Sequence, residues 1–131
     1  MVSDHVEFTS THFIAIPGED RVTNPGVLGL ALAEWVSQAL KARGVPVEQV
    51  VAEDFGRCVI VKRKPVMLFI ACASAGDRPA RWQMFIGLEQ NWVTRLIGGG
   101  NADSELARLR DHFRAIVAAI PGVSEVAWQQ R

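Results

Sequence analysis

"VAEDFGRCVIVKRKPVMLFIACA", residues Val51 to Ala73, contains the signals that set the fold. Two runs rich in β-branched and aromatic residues, Phe55 to Arg63 and Val66 to Ser74, flank the short connection "RKP". Runs of this composition bounded by turn residues read as strands, and so short a link joins antiparallel neighbours. At the other end, Glu53 to Gly56 is a second reversal, because Asp bonds nearby backbone amides and Gly accepts a positive φ. Asp54, Phe55 and Gly56 are also the letters that hold magnesium in protein kinases. There the Asp works with a strand Lys, a glycine-rich cover and a catalytic-loop Asn. Here "VIVK" follows Asp54 instead of preceding it, and "RDHF", Arg110 to Phe113, sits in a helical pattern with no Asn downstream. The stretch therefore reads as a turn between strands.

Working outward, Val47 to Ala52 and Arg81 to Glu89 add a strand on either side, the latter through the hairpin-length link "AGDRPA". Alternation around Phe8 predicts a strand over Val6 to Ile16, broken by the two Pro-Gly pairs of "PGEDRVTNPG". From Leu28 the period changes: Leu28, Leu32, Trp35, Val36, Ala39 and Leu40 recur at three and four residues, which predicts an amphipathic helix stopped by Gly44 and Pro46. A second helix is expected from about Asp103 to Ile120, with Leu106, Leu109, Phe113, Ile116, Val117 and Ile120 on one stripe. "VSEVAW" adds a last strand. The order β-α-β-β-β-β-α-β predicts a single α+β domain over residues 1–131, a mainly antiparallel curved sheet with two helices on one face.

Composition narrows the function. The chain has 131 residues, 49% of them hydrophobic and 21% charged, the profile of a globular domain large enough to bury a core without staples. Fourteen basic residues balance fourteen acidic ones, so there is no global field to attract nucleic acid or an anionic membrane. The longest apolar run, Val66 to Ala73, is far short of the roughly 20 residues needed to span a bilayer. "MVSDHVEFTS" lacks the basic and apolar regions of a secretory signal, and the expected location is cytoplasmic.

The chemistry-bearing residues are scattered. His5, His12 and His112 show no zinc spacing, and no metal or cofactor is expected. "GGGN", Gly98 to Asn101, lacks the Lys and Ser/Thr of a phosphate loop and reads as a connection capped by Asp103 or Ser104. Cys58 and Cys72 are expected on neighbouring strands, Cys58 opposite Ile70 and Cys72 diagonally from it on the same face, as reduced, half-buried thiols. Paired with a histidine such as His12, either is the nucleophile of an alternative reading, a small enzyme or ligand-binding domain. Trp35 and Trp82 fall on apolar stripes, whereas Trp92 follows the polar "EQN" and is a candidate binding residue.

"GLALAEWVSQALKARGVPVEQVVAEDFG", Gly29 to Gly56, together with "PGVSEVAW", Pro121 to Trp128, resembles a family of small uncharacterised bacterial α+β proteins. Its features are an Ala-x-Trp helix followed by a Glu-Asp-aromatic-Gly turn, and Arg57 stands where that pattern has a second aromatic. The resemblance implies no activity. The expected function is a non-enzymatic protein-binding or accessory domain, immunity-like in role, with Trp92, Arg57, Asp54 and Phe69 as binding residues. Because "VMLFIACA" is apolar on both faces, whichever side turns away from the helices, that of Met67, Phe69 and Ala71 or that of Val66, Leu68 and Ile70, is expected to be covered by a protein partner or by a second copy in a homodimer.

Overall fold

The computed structural model of the chain describes residues 2–89 and 102–129, the side chains of residues 2, 3 and 102 excepted. Among the described residues, six strands make one antiparallel sheet: β1 (Val2–Thr9), β2 (Gln49–Glu53), β3 (Gly56–Lys62), β4 (Met67–Ser74), β5 (Arg81–Glu89) and β6 (Ser124–Gln129). Their spatial order is β2-β3-β4-β5-β1-β6. Hairpins join β2 through β5, and β1 is inserted between β5 and β6. Helices α1 (Leu30–Ala42) and α2 (Ala102–Ala118) share one core with the sheet. Leu32, Val36 and Leu40 of α1 and Phe113, Ile116 and Val117 of α2 meet Phe8, Val59, Ile70, Met84 and Ile86 there. Each such side chain contributes about 1.5–3 kcal/mol by leaving water. The α+β architecture is the one the sequence predicts, with both helices in that single core.

Three local features differ from expectation. The first strand spans Val2–Thr9 instead of Val6 to Ile16. The chain leaves the sheet at Ser10, whose amide donates to the Ala80 carbonyl at 2.9 Å and whose hydroxyl donates to the Pro121 carbonyl at 2.7 Å. Near its start β1 carries a bulge between Ser3 and Val6, with Asp4 at φ 51°. Extra residues of this kind re-aim a side chain; the Asp4 carboxylate accepts from Arg110 Nε at 3.1 Å and lies 3.5 Å from Arg114 Nε, tying α2 to the sheet.

The second difference is the β3–β4 register. Cys58 pairs with Ala71 and Arg57 with Cys72, one residue away from the expected alignment. A one-residue slip moves a side chain to the other face. Cys58 therefore sits on the face away from the helices and Cys72 in the helix-side core, both as free thiols. The slip is taken up by an irregularity between Ile60 and Lys62, which sets Lys62 opposite Leu68. Third, Asp103 and Ser104 lie inside α2 and do not precede it. The "GGGN" segment lies outside the described residues.

The far face of the sheet carries its own cluster of Cys58, Ile60, Phe69 and Ala71, edged by Val51, Met67 and Phe85. The Phe69 ring lies over Gly87, where an added Cβ would come within 2.0 Å of the ring. Phe69 is only 7% exposed. The side of Met67, Phe69 and Ala71 is therefore the one turned away from the helices, with Phe69 buried and Met67 and Phe85 partly exposed.

Candidate functional site

Helix α1 begins without a local cap. Gly29 precedes it and has no side chain to offer the first amides, groups that need a partner when buried. The partner comes from ten residues upstream. A short 3-10 turn, Glu19–Val22, places the Glu19 carboxylate so that Oε1 accepts from Gly29 N at 2.9 Å and Leu30 N at 3.0 Å, while Oε2 accepts from Ile16 N at 2.7 Å. Arg57 Nη2 donates to the Glu19 backbone carbonyl at 2.6 Å. Burial alone would raise the Glu19 pKa. The three backbone N–H groups and the Arg57 charge outweigh it and hold the carboxyl below its ordinary value.

The rest of the β1–α1 connection is tied down with equal thoroughness. Asp20 Oδ2 accepts from Gly26 N at 2.8 Å, Thr23 Oγ1 donates to the Val27 carbonyl at 2.9 Å, and Asn24 N donates to the Asp54 carbonyl at 2.7 Å. Phe13 anchors it in the core, edge-on to Trp35 and Trp82 at 6.1 and 5.9 Å. On this fixed backbone three aliphatic side chains face solvent: Ile14 is 76% exposed, Ile16 46% and Val22 61%. Phe55, 44% exposed, stands on the β2–β3 turn that Asn24 contacts. The rim is acidic, with Asp20, Glu53 and Asp54 against Arg21.

Of the residues singled out from sequence, Asp54 sits at the tip of this turn and is exposed, as a binding residue requires. Arg57 is half-buried and committed to Glu19. Phe69 lies deep on the far face, at the inner end of an aromatic row that runs through Phe85 at 6.5 Å to Phe55 at a further 6.1 Å. Trp92 lies outside the described residues. Ile14 and Ile16 escaped notice because their alternation imitates a strand; the two Pro-Gly pairs that follow were the signal that this backbone turns instead.

The alternative nucleophiles are placed poorly for chemistry. Burial pushes the Cys58 thiol up to about 12, with Glu53 and Glu89 adding to it, and burial pushes Cys72 higher still. A nucleophilic Cys needs the opposite shift. His12 is exposed and packs edge-on to Phe13, and His5 bonds Gln83; no hydrogen bond links either thiol to a histidine among the described residues. Both thiols are expected to resist iodoacetamide at neutral pH in the folded protein and to react at the rate of a free thiol in urea. Fast labelling of the native chain would show that one of them is activated.

No family model, curated protein or solved structure matches this chain. Among the described residues no group of His, Cys, Asp and Glu could hold a metal, and no helix is long and apolar enough to cross a membrane.

Proposed function

We propose that the chain is a non-catalytic, cytoplasmic protein-binding domain of bacterial type, accessory or immunity-like in role, and that it binds through the end of the sheet bearing Ile14, Ile16, Val22 and Phe55. The observation that carries this reading is the pairing of exposed apolar side chains with a backbone that cannot relax around them. Three aliphatic residues project from a segment fixed by a buried capping carboxylate and three further hydrogen bonds. An interface built this way loses little freedom on binding, which raises affinity without added area. Apolar anchors surrounded by a polar rim are the usual layout of a binding hot spot. Because Asp20, Glu53 and Asp54 dominate the rim, the matching surface is an apolar protein patch edged by Lys or Arg.

The test uses a Val22→Asp, Phe55→Asp double variant, both sites being exposed. Proteins captured on the wild-type chain are purified and titrated by calorimetry against both forms. A partner should bind the variant about 30-fold more weakly, as loss of a hot spot does, and should bind the wild type more weakly as salt rises. Equal binding to both forms, or no binding once components are pure, overturns the proposal. Self-association of the wild type that the variant abolishes would keep this surface but replace the foreign partner with a second copy.

A further inference from the structure

The opposite end of α1 opens onto a different kind of surface. On α2, Glu105, Arg108, Leu109 and His112 recur at helical spacing along one stripe, next to the stripe that enters the core. Charged residues there would ordinarily face water. Here they line one wall of a cleft of about 370 Å3, whose other walls are the chain leaving α1 at Gly44 to Pro46 and the end of β3 at Val61 and Lys62. Leu68, Val61, Val45 and Leu109 give it an apolar interior. A volume of this size falls at the lower end of small-molecule sites, which combine apolar walls with a few convergent polar groups.

The polar groups are unevenly matched. Lys62 Nζ pairs with Glu105. Arg43 Nε donates to His112 Nδ1 at 2.9 Å, which leaves the ring proton on Nε2 as a donor. Arg108 makes no hydrogen bond or ion pair among the described residues, although its side chain lines the cleft. Among the lining residues Lys62 and Arg108 thus stand against Glu105 alone, with Arg43 bonded to His112 beside them, while the chain as a whole is neutral. The excess of positive charge is local to this cleft.

We propose that the cleft binds a small amphipathic carboxylate, a monoanion with an apolar tail of about six to eight carbons. At roughly 30 Å3 for each non-hydrogen group, such a molecule fills the space. The Arg108 guanidinium presents the fork that a carboxylate matches in two parallel hydrogen bonds. The tail lies against Val45, Val61, Leu68 and Leu109. The apolar walls set the ligand class, since an inorganic anion such as phosphate meets the same charges but leaves Val45, Val61, Leu68 and Leu109 uncovered. The site lies at the far end of α1 from Ile14 and Val22, about 20 Å away along a 13-residue helix, so it stands or falls independently of the protein-binding surface.

The experiment titrates octanoate into the full isotope-labelled chain, with octylammonium, octanol and inorganic phosphate as parallel probes. Octanoate should bind saturably with a dissociation constant of roughly 0.1–1 mM, what a ligand of its size can reach. Its amide shifts should centre on Val45, Val61 and Leu109. Arg108→Glu, at an exposed position outside the core, should fold normally and weaken octanoate at least about tenfold while strengthening octylammonium. Four results would each overturn the proposal: no saturable binding, equal binding of octanoate and octylammonium, octanoate affinity untouched by Arg108→Glu, or shifts centred on residues 14–22. Phosphate binding as tightly as octanoate would remove the apolar tail from the ligand class.

Discussion

Replacing Glu19 by alanine is expected to destabilise the domain by about 3 kcal/mol. Three backbone N–H groups, of Ile16, Gly29 and Leu30, would lose their acceptor at once, and each buried donor left unpaired costs about 1–3 kcal/mol before relaxation and water reduce the sum. The effect carries a pH signature. The folded-state pKa of Glu19 is depressed, so its contribution is complete above the unfolded-state value of about 4.3 and is lost as pH falls through the folded value. Urea unfolding of the wild type should show that loss below about pH 5. Glu19→Gln keeps one acceptor oxygen, should cost less than the alanine change at neutral pH, and should remove this component of the acid sensitivity. A Gln variant with the same acid slope as the wild type would mean that the carboxylate is not the group responsible.

Phe69→Ala should cost about 3–5 kcal/mol, the usual range for emptying a buried aromatic site. Its ring covers Gly87 and meets Phe85 edge-on at 6.5 Å, and no side chain at residue 87 could close the hole. Since Phe69 is buried within the single chain, the loss should appear in the urea midpoint equally at low and high protein concentration. A loss that grows on dilution would show instead that a second copy covers this face. A loss below about 1 kcal/mol would mean that Phe69 is not part of a packed cluster.

The elements with a strong period were legible from sequence. The Leu32, Val36, Leu40 stripe ending at Gly44 specified α1, and the β2 to β5 hairpins followed from turn residues spaced between apolar runs. Sheet order was not legible, because nothing in β1 says that it will be flanked by β5 and β6. Nor was the β3–β4 register, since Val59, Ile60 and Val61 are all apolar and either face satisfies such a run. Glu19 was hidden for another reason: its partners are ten and eleven residues away. The available clue was negative, a helix start at Gly29 and Leu30 with no Ser, Thr, Asp or Asn before it, which implies that the cap arrives from elsewhere in the chain. Asp54 was placed correctly on an exposed turn because turn chemistry put it there. The exposed aliphatic residues beside it were missed because burial, not residue type, marks them.

The position of β1 between β5 and β6 governs the order in which this sheet can assemble. Thr9 and Arg81, which pair across β1 and β5, are 72 residues apart, whereas the β2 to β5 hairpins close over a few residues. Closing the longer loop costs about 2–3 kcal/mol more in chain entropy. Loop entropy therefore favours the four-stranded meander forming first, with β1 then entering the free edge of β5 and offering its own far edge to β6. Until that moment β5 is an open edge with Trp82, Met84 and Ile86 on it, the interval in which the chain is most exposed to pairing with a neighbour instead of with itself.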